Sequence, residues 1–159
     1  MILRAATPAD APGMAGVINP IIAIGGTTAH QGPFTADRIL AHYLAAPGLL
    51  TCQLAEADGR ILGFQVLERL EVLPAGWADI GTFVAPGSQR RGIGGALMAA
   101  TLAAARAAGA ATVNATIRAD NAPGLAYYAR HGFADYAVDP GWRLADGTPV
   151  GRVSRRLDL

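Results

Sequence analysis

Gln89-Arg90-Arg91-Gly92-Ile93-Gly94-Gly95-Ala96 is the stretch on which the rest of this chain turns. It follows the apolar run Trp77 to Val84, whose composition predicts a strand. It opens an Ala/Leu-rich run from about Gly92 to Ala108, which predicts a helix stopping at Gly109. The first backbone N–H groups of a helix have no intrahelical acceptors, and the helix start carries about half a positive charge, so a strand-to-helix turn of this kind is an anion site. Gly92, Gly94 and Gly95 remove Cβ atoms that would hold a diphosphate away, and Arg90 and Arg91 add charge. A nucleotide P-loop is excluded because no Gly-Lys-Ser/Thr follows. The dinucleotide-binding pattern fails because Leu97 stands where its third glycine belongs.

Upstream of this turn, Met1 to Ala5 reads as a strand. Thr7 and Pro8 then start a helix to about Ile24, with Thr7 as N-cap and Pro8 at the first helical position. Glycines and Pro33 make residues 25 to 33 a loop, and Thr35 caps a second helix, Ala36 to Ala46, which ends at Pro47-Gly48. Leu49 to Ala57 and Ile61 to Arg69 are strands joined by Asp58-Gly59, a strong hairpin signal. Downstream, Thr112 to Ile117, Phe133 to Val138 and Val150 to Leu157 are further strands, and Pro123 to Arg130 is a helix. Antiparallel runs followed by one strand-helix-strand crossover give an α/β (α+β) fold. A mixed, mostly antiparallel central sheet carries helices on both faces, in a single domain over 1–159.

Composition narrows the function. With 52% hydrophobic and 16% charged residues the chain is a globule, and a net charge of +1 supplies no field for nucleic acid or for an anionic membrane surface. The longest uncharged apolar stretch, Ile93 to Ala105, is too short for the ~20 residues of a bilayer span. No basic segment followed by an apolar one opens the chain, so a cytoplasmic location is expected. Cys52 is the one cysteine and sits in an apolar run, which reads as core; no Cys/His cluster has metal spacing, so no metal is expected.

Gln89-Arg90-Arg91-Gly92-Ile93-Gly94 matches the Q/R-x-x-G-x-G/A motif of the GCN5-related N-acetyltransferases (GNAT). A second element resembles that family as well: Asn121-Ala122-Pro123-Gly124-Leu125-Ala126-Tyr127-Tyr128-Ala129-Arg130-His131-Gly132-Phe133. Val17-Ile18-Asn19-Pro20 to Thr27-Thr28-Ala29 is further similar to its phosphinothricin-type members. The resemblance implies the GNAT fold and direct transfer from acetyl-CoA to an amine, without a covalent enzyme intermediate. It implies that backbone around Phe83, Val84 and Pro86 holds the carbonyl oxygen and pantetheine, and that Gln89 to Ala96 hold the diphosphate. Tyr128 falls at the position of the acid that protonates the leaving thiolate, and Tyr127 at that of a core residue. Asn121 is at once a helix cap and a candidate contact to the cofactor arm.

A base is read from Asp79. A carboxylate inside an apolar strand needs a partner or a cavity, and alternation sets it on the face of Gly81 and Phe83, opposite Ile80, Thr82 and Val84. Glu68, Glu71 and His30 are the other candidates for the base, beside the plainer reading of Glu68 and Glu71 as solvated strand-end charges and of His30 as an exposed loop histidine; His42 and His131 read as structural. For the acceptor, Thr28, His30, Trp142 and Arg143 are the candidates, the last two for an apolar part and a carboxylate. Asp37 is the only acid between Val17 and Ala46, which speaks against a polycationic antibiotic. A small, amino-acid-like amine is the expected partner, with no nucleic acid and no membrane; a homodimer is left open. Two alternatives stand beside it: acetylation of a protein N-terminus or lysine, and a non-catalytic acyl-CoA-binding regulatory module.

Overall fold

Seven strands form one sheet in the order β1-β2-β3-β4-β5-β7-β6 in the computed structural model, which describes residues 1–159. They are β1 (Ile2–Ala5), β2 (Leu49–Ala57), β3 (Arg60–Glu68), β4 (Trp77–Val84), β5 (Thr112–Arg118), β6 (Ala134–Asp139) and β7 (Arg152–Asp158). Every neighbouring pair is antiparallel except β4 and β5, which are parallel because helix α3 (Ile93–Ala107) carries the chain back between them. Asp58 and Gly59 both take positive φ, 51° and 72°, as the two-residue β2–β3 hairpin requires.

Helices α1 (Ala11–Ile24) and α2 (Ala36–Ile39) cover one face. Met14, Val17, Ile18, Ile39 and Tyr43 pack there on Leu54, Phe64 and Val66. Helix α3 and α4 (Ala122–Arg130) cover the other, where Met98, Ala105, Tyr128 and Phe133 meet Leu67, Ile80 and Val113. Burial of these two apolar layers, rather than helix propensity, holds the short helices in place. Cys52 is buried in the first layer, and burial pushes its thiol up to about 12. No helix is long and apolar enough to cross a membrane.

Two helices depart from the sequence reading. The segment expected to run unbroken from Pro8 begins as a separate 3-10 turn, Pro8–Asp10, before α1. Asp10 turns back to accept from the Thr7 N–H at 2.7 Å and to meet Arg4 at 2.8 Å. The second helix keeps only Ala36–Ile39 as α, then widens into a π turn, Leu40–Leu44, closed by Ala45 N–H donating to Leu40 O at 2.7 Å. The wide turn seats the consecutive rings of His42 and Tyr43 side by side, centroids 4.5 Å apart, over the end of β4. Turns of this kind concentrate at functional sites.

Candidate active site

The glycine-rich turn leads into α3 as the sequence predicts. Arg90 and Gly92 both have positive φ, 64° and 76°, and Gly92 caps the helix. Gln89, Arg90 and Arg91 are exposed, and neither arginine has a carboxylate partner. The amides of Ile93, Gly94 and Gly95 open the helix, so the residues present fit a diphosphate: unpaired N–H groups backed by two free guanidinium groups.

Three residues of that stretch carry constraints beyond the sequence expectation. The Ala96 N–H already donates to Gly92 O at 3.0 Å, so it is spent on the helix's first bond. A Cβ on Gly94 would meet Tyr127 Cε2 at 2.9 Å, so this glycine is required by the tyrosine packed on it. The Ile93 side chain is buried against Ala55 and Leu97, which leaves only its backbone for a ligand.

Parallel pairing of β4 with β5 ends at Asp79 and Asn114, whereas β4 stays paired with β3 as far as Val84 and β5 with β7 as far as Arg118. Beyond Asp79 the two strands therefore splay, and the backbone of β4 from Ile80 to Val84 presents an open edge, able to take a strand-like ligand arm. A cleft of about 310 Å³ occupies the splay. Thr28, His30, Asp79, Phe83, Asn121, Tyr128 and Trp142, all expected at the site, line it together. So do Glu68, an alternative base in the sequence reading, and His42, Arg118 and Arg152, which that reading did not place there.

At the floor, Asp79 is largely buried and its carboxyl is pushed up to about 6, by burial first, against the lowering effect of the Asn114 hydrogen bond. Asn114 Nδ2 donates to Asp79 Oδ1 at 2.7 Å, and Asn114 Oδ1 accepts from the Tyr136 hydroxyl. Tyr136 reaches across β7 because a bulge in β6 sits at that residue. Glu68 is Asp79's direct cross-strand partner, and burial raises its carboxyl as well. The expectation of a solvated Glu68 is thus corrected: it ends β3 inside the cleft.

His30 is likewise not an exposed loop residue. It is half-buried, its Nε2 lies 3.0 Å from the Tyr43 hydroxyl, and its ring sits edge-on to Phe34 and His42 at 4.9 and 5.3 Å. Burial, and secondarily His42 and Arg38, push its pKa down to about 4, so it is neutral at physiological pH. His42, expected to be structural, faces the cleft, whereas His131 packs on Tyr127 with ring centroids 4.7 Å apart.

The two tyrosines of α4 divide. Tyr128 lines the cleft, 7% exposed, with its hydroxyl 2.8 Å from Thr82 Oγ1; burial drives its phenol above the ordinary range. Tyr127 points under α3 and donates to Gly94 O at 2.7 Å.

Around the rim, loop 25–34 is strapped down. Arg118 Nη1 donates to Thr28 O at 2.9 Å, Asn121 Nδ2 to Thr27 O at 3.1 Å, and the Asp146 N–H to Gln31 Oε1 at 3.0 Å. Asn121 also caps α4 by accepting from the Gly124 N–H at 2.9 Å. Asn19 anchors the far end of the loop with paired bonds to the Phe34 backbone at 2.9 and 2.7 Å. Arg143 stands apart from the cleft, donating to Gly147 O at 2.9 Å. The cation over Trp142 is Arg152, 5.4 Å from the ring centre. Three or more His, Cys, Asp or Glu side chains nowhere gather closely enough to hold a metal ion.

A sequence profile described as "Acetyltransferase (GNAT) family" matches residues 26–133. Among curated proteins, the mycothiol acetyltransferase of Clavibacter michiganensis subsp. michiganensis is 42% identical over 91 residues, 57% of this chain and 28% of its own. That of Gordonia bronchialis is 33% identical over 127 residues, 80% of this chain and 38% of its own. The chain thus spans well under half the length of these relatives. Among solved structures, a phosphinothricin acetyltransferase from Sinorhizobium meliloti in complex with acetyl-CoA superposes with a TM-score of 0.86. It is 16% identical, over 99% of this chain and 88% of that one. A ribosomal-protein-alanine N-acetyltransferase from Brucella melitensis superposes with a TM-score of 0.88 at 19% identity, over the whole of both chains. Likeness at these identities establishes the fold and leaves the acceptor to be argued from the cleft.

Proposed function

Because this chain belongs to the acetyltransferase (GNAT) family, we propose that it transfers an acetyl group from acetyl-CoA directly to the primary amine of a small, amino-acid-like acceptor. Acetyl-CoA, with its diphosphate on the turn Gln89 to Gly95 and its arm along the open edge of β4, supplies the thioester. Asp79 receives the proton the amine must lose, in a carboxylate state available above pH of about 6. Tyr128 gives a proton to the departing sulfur.

The observation that carries the acceptor class is the division of charge across the cleft. Two carboxylates, Glu68 on β3 and Asp79 on β4, come from one side of the splay, and two guanidinium groups, Arg118 on β5 and Arg152 on β7, from the other. Arg118 is engaged by Asp120 at 2.7 Å and by Thr28 O, whereas Arg152 has only a 3.8 Å contact with Asp139. Arg152 is therefore the cation free to meet a carboxylate, with Trp142 beneath the acceptor's apolar part.

Acetyl-CoA is incubated with matched pairs of amino acids and their decarboxylated amines, read by free-thiol release and mass spectrometry. Amino acids should be acetylated in preference to the amines. Equal use of both removes the carboxylate handle, and thiol release with no small product redirects the search to protein acceptors.

A further inference from the structure

The floor of the cleft holds a second polar chain, buried under Tyr128. Gln65 on β3 is fully buried. Its Nε2 lies 2.8 Å from Thr82 Oγ1 and 3.2 Å from the Tyr127 hydroxyl, while its Oε1 has no partner. The direction of the first hydrogens in this chain can be worked out from one end. Gly94 O can only accept, so Tyr127 must donate to it, and the Tyr127 oxygen is left as an acceptor toward Gln65. The Gln65 amide nitrogen must therefore face Tyr127, and its second hydrogen falls on Thr82 Oγ1. Turning the amide over would leave two buried N–H donors without acceptors, against a single orphaned oxygen as it stands.

With its oxygen accepting from Gln65, the Thr82 hydroxyl keeps its own hydrogen for the Tyr128 oxygen at 2.8 Å, a contact in which either hydroxyl could donate. When Thr82 donates, the Tyr128 hydrogen is released from that contact and is available to the cleft. We infer that Gln65 and Thr82 are positioning residues that orient the Tyr128 phenol as a proton donor toward the leaving sulfur. This rests on the proposed role of Tyr128 as the acid. When Tyr128 gives its proton, its O–H bond breaks as an S–H bond forms on the departing thiolate. The electron pair stays on the phenol oxygen, where the Thr82 hydroxyl already donates, and solvent returns a proton after release. The chain begins at Gly94, inside the turn that holds the diphosphate, so the same backbone that seats the cosubstrate sets the direction of the acid.

Two measurements test this. In isotope-edited NMR of the protein without ligand, the Gln65 side-chain amide protons should exchange slowly with water and show contacts to Tyr127 and Thr82. Fast exchange, or contacts only on the oxygen side, overturns the assignment of direction. In single-turnover acetyl transfer, Thr82→Val should slow the step about tenfold, the size of one hydrogen bond, with acetyl-CoA affinity unchanged and with Thr82→Ser restoring most of the rate. In a Tyr128→Phe background the same Thr82→Val change should cost nothing more. An equal loss in both backgrounds means that Thr82 acts independently of Tyr128 and overturns the inference. Tyr128→Phe alone turning over like the parent would remove the acid itself, a failure seen without any change at Thr82.

Discussion

The two ends of β4 are built by opposite means. Past its C-terminal end, the turn Gln89 to Gly95 is made from consecutive residues, most of them exposed, and it presents backbone N–H groups and two unpaired arginines. Along the strand from Asp79 to Phe83, the cleft is assembled from side chains of β3, β4, β5, α4, β7, the turn Leu40–Leu44 and the loops that follow α1 and β6, several of them buried and hydrogen-bonded to one another. A local backbone site tolerates changes of side chain and responds to changes of charge and backbone. An assembled site responds to the loss of single polar atoms, because each buried group depends on one partner. Binding should therefore fail at one end of β4 and chemistry at the other.

The sharpest break is expected at Tyr128. Tyr128→Phe keeps the ring packed on Phe133, centroids 5.2 Å apart, and deletes only the hydroxyl. Single-turnover acetyl transfer should fall about 10²–10⁴-fold while acetyl-CoA affinity holds, the usual reach of acid-base catalysis. Tyr127→Phe serves as the control with a smaller effect, since it removes only the hydroxyl that bonds Gly94 O and Gln65, away from the cleft. A larger rate loss at Tyr127 than at Tyr128 would exchange their roles.

Asp79→Asn should come next. In the parent, kcat/KM should rise as pH passes through about 6, where the buried carboxyl ionises, and the variant should be slower and lack that limb. Stability should move the other way. The unfolded carboxyl ionises near 3.8 and the folded one near 6, so the parent loses stability as pH rises through that window and stays at the lower level above it. The variant escapes this loss and should melt higher than the parent at pH 8, by up to about 3 kcal/mol of stability. An unaltered pH–rate profile would leave Asp79 a structural residue.

At the other end of β4, Gly95→Asp tests binding alone. A Cβ there has only His131, 4.0 Å away, as a neighbour, and a carboxylate in the first turn suits the helix while repelling a diphosphate. The dissociation constant for acetyl-CoA, measured by calorimetry, should rise about tenfold or more with the melting temperature retained. Gly94→Asp is the worse probe, because its Cβ would collide with Tyr127 and confuse folding with binding. Unchanged affinity in Gly95→Asp would remove the diphosphate from this turn.

The smallest effect is expected at the rim. Arg152 is 43% exposed, so its pull on a carboxylate is screened, and Arg152→Gln should raise KM for amino acids severalfold while leaving the matching decarboxylated amines unaffected. Arg143→Gln, outside the cleft, should change neither. A uniform rise across both acceptor types would make Arg152 a support for Trp142 rather than a reader of charge.

How legible each part was follows from the same contrast. Strand and helix spans, the Asp58-Gly59 hairpin and the parallel crossover around α3 were all readable, since alternation, turn dipeptides and helix caps are local signals. The π turn after Ile39 was not, because widening depends on how His42 and Tyr43 pack. Glu68 reads as a strand-end charge until register sets it opposite Asp79. Arg152 lies beside Trp142 only because the chain folds back, as the Val150 N–H donating to Trp142 O at 3.1 Å records. Arg143, the sequence neighbour of Trp142, was the natural first choice and is the wrong one for that contact. Asn114 and Tyr136 carry no motif, and a bulge on a strand not adjacent to β5 brings them together.

The sequence by itself determined the family, the sheet and its helices, and the glycine-rich turn that opens α3, since each depends on residues a few positions apart whose backbone preferences act locally. Only the tertiary structure decided which charges gather in the cleft, which tyrosine lines it, and which buried amide lies behind that tyrosine's hydroxyl partner. Those outcomes depend on strand register, on the point where β4 and β5 part, and on the burial that forces each polar group to find a partner from a distant stretch of chain.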